Sequence, residues 1–220
     1  MKSRFIYIIL SIMLAILISP YIRDIGKAGH IFTTLLAAMI PLTSFYALIA
    51  DRNRAIIILF LAAPFVVLDG MSMFFAHRYL MIAAISFGTI LYFYIVVLLV
   101  INILSYRVVT ADLIYCAIST YLMIGVMWSG IYIILEGIYP DSFSGISEAG
   151  DLLYFSFVIL TTVGFGDITP QSIISKRLVV FEAATGCIYL AVIIAMIVGR
   201  YMSMQEKHEI KSEMNLKNKT

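Results

Sequence analysis

Residues 151–167 read DLLYFSFVILTTVGFGD, and this stretch decides the fold. Its first twelve residues, Asp151–Thr162, suit a membrane interior, but as a helix they reach only ~18 Å. Crossing the ~30 Å hydrocarbon layer takes about 20 apolar residues. A segment this short enters the layer and turns back. The residues after it carry glycine at alternate positions, Gly164 and Gly166. Glycine accepts φ > 0 without a Cβ clash, so the spacing predicts a loop of unusual backbone directly behind a re-entrant helix.

Outward from this stretch the chain is 62% hydrophobic and 13% charged, against about 25% charged residues in an average soluble domain. The apolar runs are continuous and do not alternate, which excludes a barrel and predicts an all-α membrane protein. Six spans are expected: Phe5–Ile22, Ile31–Ala50, Ala55–Ala76, Leu80–Leu104, Leu113–Leu135 and Leu178–Met202. The re-entrant segment lies between the fifth and sixth. The first run has Lys2 and Arg4 ahead of it, yet it reaches Ile22 with no small-x-small cleavage site, so it reads as a retained span.

With six spans both termini share one side. That side holds Lys2, Arg4, Arg52, Arg54, Arg107, Arg200, Lys207, Lys211, Lys217 and Lys219, while Arg23, Lys27, Arg78, Lys176 and Arg177 face the other. Ten against five places both termini in the cytoplasm. Cys116 and Cys187 lie in apolar runs and are expected to be buried thiols.

The run Thr162-Val163-Gly164-Phe165-Gly166-Asp167 resembles the selectivity-filter signature of potassium channels in its Gly-Phe-Gly form. The resemblance covers Leu113 to Met202: outer helix, pore helix, filter and inner helix. It implies a tetrameric pore whose K⁺ ions, the permeant species, sit against carbonyls of Thr162, Val163, Gly164 and Phe165, with Gly166 completing the loop. Physical chemistry agrees. Potassium must exchange its water shell for other oxygens at little net cost, and rings of backbone carbonyls do this. The Thr162 hydroxyl adds a ligand, and Val163 and Phe165 are expected to turn away from the ions onto the scaffold. One filter stretch per chain implies a homotetramer.

Around the filter the resemblance places Asp167 as a brace, Tyr154 and Phe155 as an aromatic cuff, and Thr161 as further support. The acidic partner that Asp167 has in some relatives falls at Val158, so that pair is absent. Phe165 stands where many members have tyrosine. Gly186 matches a hinge glycine of the inner helix, or else a small residue for close packing. Glu182 is an intramembrane carboxylate, expensive unless partnered, and is expected to hydrogen-bond behind the filter. Glu136, Asp141, Glu148 and Asp151 are candidates for a cation-attracting rim.

The domains expected are a four-helix region, residues 1–108, a pore domain, 109–202, and a short cytoplasmic tail, 203–220. The first region occupies a voltage sensor's position, but nothing basic lies between Arg78 and Arg107, so little voltage dependence is expected. Asp69, between Pro64 and Arg78, reads as a break in its helix, a proton-sensing group or a partner for Arg78. Neither a phosphate loop, a metal cluster nor a nucleophile–base pair appears, so no enzyme, nucleic-acid partner or small-molecule substrate is expected. The function implied is passive K⁺ conduction across a plasma membrane, a bacterial inner membrane on the shortness of the tail. A non-selective cation channel and a non-conducting sensor or scaffold remain as alternatives.

Overall fold

The computed structural model describes residues 3–23, 27–48, 52–72, 78–147 and 150–217. The predicted span ends Ala50 and Ala76, and the charges Lys2, Glu148 and Lys219, lie outside the described residues. The elements are α1 (Ile6–Arg23), α2 (Lys27–Leu48), α3 (Arg52–Ser72), α4 (Arg78–Ser105), α5 (Ala111–Ile138), β1 (Phe143–Ser144), α6 (Asp151–Leu160), β2 (Thr169–Pro170) and α7 (Ile173–Lys217). Among the described residues four helices are long and apolar enough to cross a membrane: Ile31–Leu48, Arg78–Ser105, Ala111–Ile138 and Ile173–Glu206. Ile6–Ile18 and Ile56–Ser72 are shorter apolar helices.

α4 and α5 form the seam between the first helices and the rest, with α3 against α4 and α1 against both α2 and α5. Leu91, Ile95, Leu99 and Ile103 recur every fourth residue of α4 and are fully buried, one stripe of a helix face. Lipid tails are as apolar as leucine, so such a stripe is held by close packing more than by exclusion of water. α5 starts cleanly because the Thr110 side chain accepts from the Leu113 N–H, an N-cap that satisfies one orphan donor.

α3 runs unbroken through Pro64, Asp69 and Gly70, so the break expected at Asp69 does not occur. Arg78 is not turned to Asp69 either: its Nε donates to the Gly137 carbonyl of α5 at 2.7 Å. α7 continues as helix to Lys217, well past the predicted span end at Met202. Cys116 is buried as expected, whereas Cys187 is exposed on α7. Much of α7 is uncovered by its own chain, including Val180, Phe181 and Ile188.

Candidate functional site

The site is built on the C-terminal end of α6. Asp151 begins the helix as expected, its carboxylate accepting the Ser147 N–H at 2.7 Å, where the positive dipole end favours it. At the other end the chain closes with two bonds, Thr162 N–H to Ile159 O and Val163 N–H to Val158 O, both 3.0 Å. This pair of bonds is a Schellman motif, which puts its C′ residue in the left-handed region. Thr162 is that residue, with φ 61°. Glycine or asparagine usually takes the position, and a β-branched residue there is a real outlier. Strain of this kind costs on the order of 1–3 kcal/mol and gathers at functional sites.

Gly164 and Gly166 follow with φ 59° and 80°. Positive φ therefore recurs at every second residue, Thr162, Gly164 and Gly166. In a strand successive carbonyls face opposite ways; alternating left- and right-handed residues cancels that alternation and lets neighbouring carbonyls share a side. The sequence pointed to the two glycines but not to Thr162, whose conformation comes from the helix end.

The outer end of the loop is pinned separately. β1 pairs antiparallel with β2, Ser144 opposite Thr169, and the Gln171 N–H donates to Ser142 O at 2.8 Å. Gly145, φ 81°, passes so close to the Asp167 carbonyl that a Cβ would collide with it. Tyr154 donates its hydroxyl to Asp167 Oδ2 at 2.8 Å, so the side chain four residues before Val158 supplies the partner that Val158 lacks. This hydrogen bond, foremost, holds the Asp167 carboxyl below its ordinary value of 3.8. A depressed carboxylate keeps its contribution above the ordinary pKa and loses it as pH falls through the lowered one. The brace is thus expected to be flat from pH 5 to 8. Tyr154→Phe should raise the pH at which the Asp167 carboxyl takes up its proton, read from its carboxyl carbon NMR shift.

Behind α6 lies a second anchor. Glu182 of α7 is fully buried, its two oxygens accepting the hydroxyls of Tyr132 on α5 and Ser156 on α6. Ser156 Oγ also lies 2.8 Å from Gly125 O. Phe155 is not beside Tyr154 at the loop; it packs with Tyr132 and Phe143, centroids 5.5 Å from each. Adjacent residues of a helix point about 100° apart, so one aromatic reaches the loop and the other the core. Thr161 turns its hydroxyl back to Phe157 O at 2.6 Å. Tyr121 donates to Leu160 O at 2.9 Å and stacks on Tyr189. The sequence alone does not single out Tyr121, Tyr132, Ser156 or Tyr189. The signal for the tyrosines was there: an aromatic with a polar tip inside an apolar span usually finds a partner.

Gly186 sits where a Cβ would lie 2.7 Å from Leu160 O, so α7 approaches the end of α6 only because this residue lacks one. α7 is continuous helix at this point, and of the two readings of Gly186 the packing one has this geometry behind it. Of the four rim acids, Glu136 is occupied with the N–H groups of Asp141 and Phe143, and Asp151 with its own helix start. Asp141 is exposed. Thr161 through Asp167 are all exposed on the single chain, Val163 by 53% and Phe165 by 71%. The scaffold expected to cover these two is not supplied by their own chain.

Residues 121–203 match the profile of a family described as ion channel. Two-pore potassium channel 4 of Arabidopsis thaliana is 37% identical over 71 residues, 31% of this chain and 25% of that protein. Two-pore potassium channel 2 of the same organism is 31% identical over 65 residues, 30% of this chain and 15% of that one. The chain thus spans a quarter or less of the length of these curated relatives. No solved structure matches it. The matched segment runs from α5 through the α6 loop into α7, and over it the chain is similar to the ion-channel family and to these potassium channels.

Proposed function

We propose that four copies of this chain form a potassium-selective channel, each presenting the Thr162–Gly166 loop to a common axis. The observation that carries the reading is the alternation of positive φ at Thr162, Gly164 and Gly166 in a loop fixed at both ends. Carbonyls of Thr162, Val163, Gly164 and Phe165 from four loops replace the water shell of K⁺. The relatives are two-pore channels by name, whereas this sequence carries one filter stretch, so four chains are needed. The exposed Val163, Phe165 and α7 surface supports the same reading, being apolar area that neighbouring copies cover. In this reading α1 and α3 complete six spans, both termini are cytoplasmic, and the protein resides in a plasma membrane.

α4 has no Lys or Arg after Arg78, so its movement in the field supplies little gating energy. The first four helices still reach the inner helix. Arg200 of α7 donates to the Ile103 and Leu104 carbonyls at 3.1 and 3.4 Å. A cation at a helix C-terminus contributes about 0.3–1 kcal/mol, up to ~2 when partly buried. In this reading the contact is made in one gating state only, so Arg200→Gln should shift the ratio of open to closed channel by roughly five-fold, measured as open probability in single-channel records.

The direct test is flux from liposomes holding the purified protein, together with its assembled mass. Potassium efflux without sodium efflux, from a particle of four subunits, is the expected result. Equal efflux of both ions would mean a non-selective pore. A monomeric or dimeric particle would leave the carbonyl rings incomplete and sink the proposal.

A further inference from the structure

We propose that a cavity between the first helices and the pore helix is a binding site for a monocationic amphiphile, an ammonium group on an apolar chain, with Asp69 as its counter-ion. The cavity has a volume of about 280 Å³ and takes wall residues from α1, α2, α3, α4, α5 and α6. That is close to the lower end of the range for small-molecule pockets, about 300–1,000 Å³.

Its walls are polar at one end and apolar at the other. Thr33 and Thr34 near the start of α2 meet Asp69 and Ser72 at the end of α3, and Thr34 Oγ1 donates to Asp69 Oδ2 at 2.5 Å. From there the two helices run on through Leu36, Ile40 and Phe65. Thr34 to Ile40 is six residues, about 9 Å along a helix, so the apolar part is deep enough for a short hydrocarbon chain. Asp69 is the one charged group among the described lining residues. The lysine or arginine nearest in sequence, Arg78, is committed to Gly137 O. A carboxylate in a membrane span is costly without an opposite charge, and among the described residues none of opposite charge lines the cavity.

The shape selects among cations. An inorganic ion needs several oxygens around it, and beyond the polar end the walls offer hydrocarbon. An ammonium group has three donors for the carboxylate and the threonine and serine hydroxyls, and its chain fills the rest. Val126, Ser129 and Leu153 on the far wall belong to α5 and α6, so the occupant touches the helix that carries the loop. Lipid ammonium headgroups and soluble amphiphilic amines share this chemistry.

Trp128, the single tryptophan, lies one residue before Ser129 of the wall, and bromine quenches tryptophan at short range. The experiment titrates 6-bromohexylammonium into the full-length protein in phosphatidylglycerol vesicles, with 6-bromohexanol and 6-bromohexyl sulfate as comparators. Saturable quenching by the cation alone is expected. Asp69→Asn should weaken it at least ten-fold, and Asp69→Glu should restore most of it, which separates charge from misfolding. Quenching that is equal for the three probes, or untouched in Asp69→Asn, would overturn the proposal. Adding phosphatidylethanolamine tells the sources apart: a raised probe requirement identifies a lipid ammonium as occupant, an unchanged one a soluble amine. Because the readout is binding, a silent pore does not affect it, and failure here leaves the conduction proposal standing.

Discussion

Gly164→Asp is expected to abolish potassium current while leaving the subunit folded and assembled. At Gly164 a Cβ meets nothing within 4 Å on the single chain, so the substitution causes no clash within a subunit. Its backbone, however, has φ 59°, and the left-handed region costs an L residue about 1–2 kcal/mol. Four such residues around one axis multiply that cost and add four carboxylates where partial charges of carbonyls should stand. A fixed carboxylate binds a cation too firmly for rapid exit, and conduction requires binding weak enough to leave. The effect should also be dominant. If one altered subunit in four silences a channel, equal co-expression with the normal chain leaves about one-sixteenth of the current. Co-expression leaving about one-quarter would indicate two chains per pore. Size-exclusion chromatography of the variant alone checks that assembly survives.

Glu182→Ala is expected to lower stability by about 2–4 kcal/mol, from two separate losses. It removes the acceptor of two hydroxyls, Tyr132 and Ser156, and it leaves a void at a fully buried position. Ser156 keeps Gly125 O within reach, so Tyr132 is the group left orphaned. Glu182→Gln, with one acceptor oxygen and nearly the same volume, should lose less than half as much. The measurement is thermal unfolding in detergent, followed by Trp128 fluorescence. Trp128 packs beside Tyr132 with the rings tilted, centroids 6.0 Å apart, and reports on this cluster directly. Equal melting of Glu182→Ala and the normal protein would mean that the carboxylate does not tie the three helices together.

How much of this was legible in the sequence depended on whether the cause was local. The start of α6 at Asp151 and its shortness followed from residue type and count. Gly164 and Gly166 followed from the conformational freedom of glycine. Thr162 did not, because threonine disfavours φ > 0 and is driven there by the two bonds that end α6. Glu182 could be read as buried and partnered, but its partners come from α5 and α6, 50 and 26 residues away, and nothing local names them. Within one chain Phe155 meets Tyr132 and Phe143 while Tyr154 meets Asp167, because adjacency in sequence does not give two residues of a helix the same neighbours. Glu136 could be read as a rim carboxylate, but not as the acceptor of the Asp141 and Phe143 N–H groups, which no composition reveals. Val163 and Phe165 are exposed on the single chain, and in the proposed tetramer neighbouring copies cover them.

The most direct test of the central claim is the reversal potential of the purified protein in a planar bilayer with potassium on one side and sodium on the other. Selective conduction predicts a reversal at or near the potassium equilibrium potential, lost in Gly164→Asp. A reversal at zero, with current of similar size for both ions, would contradict the account: the loop would then be a pore that does not distinguish them.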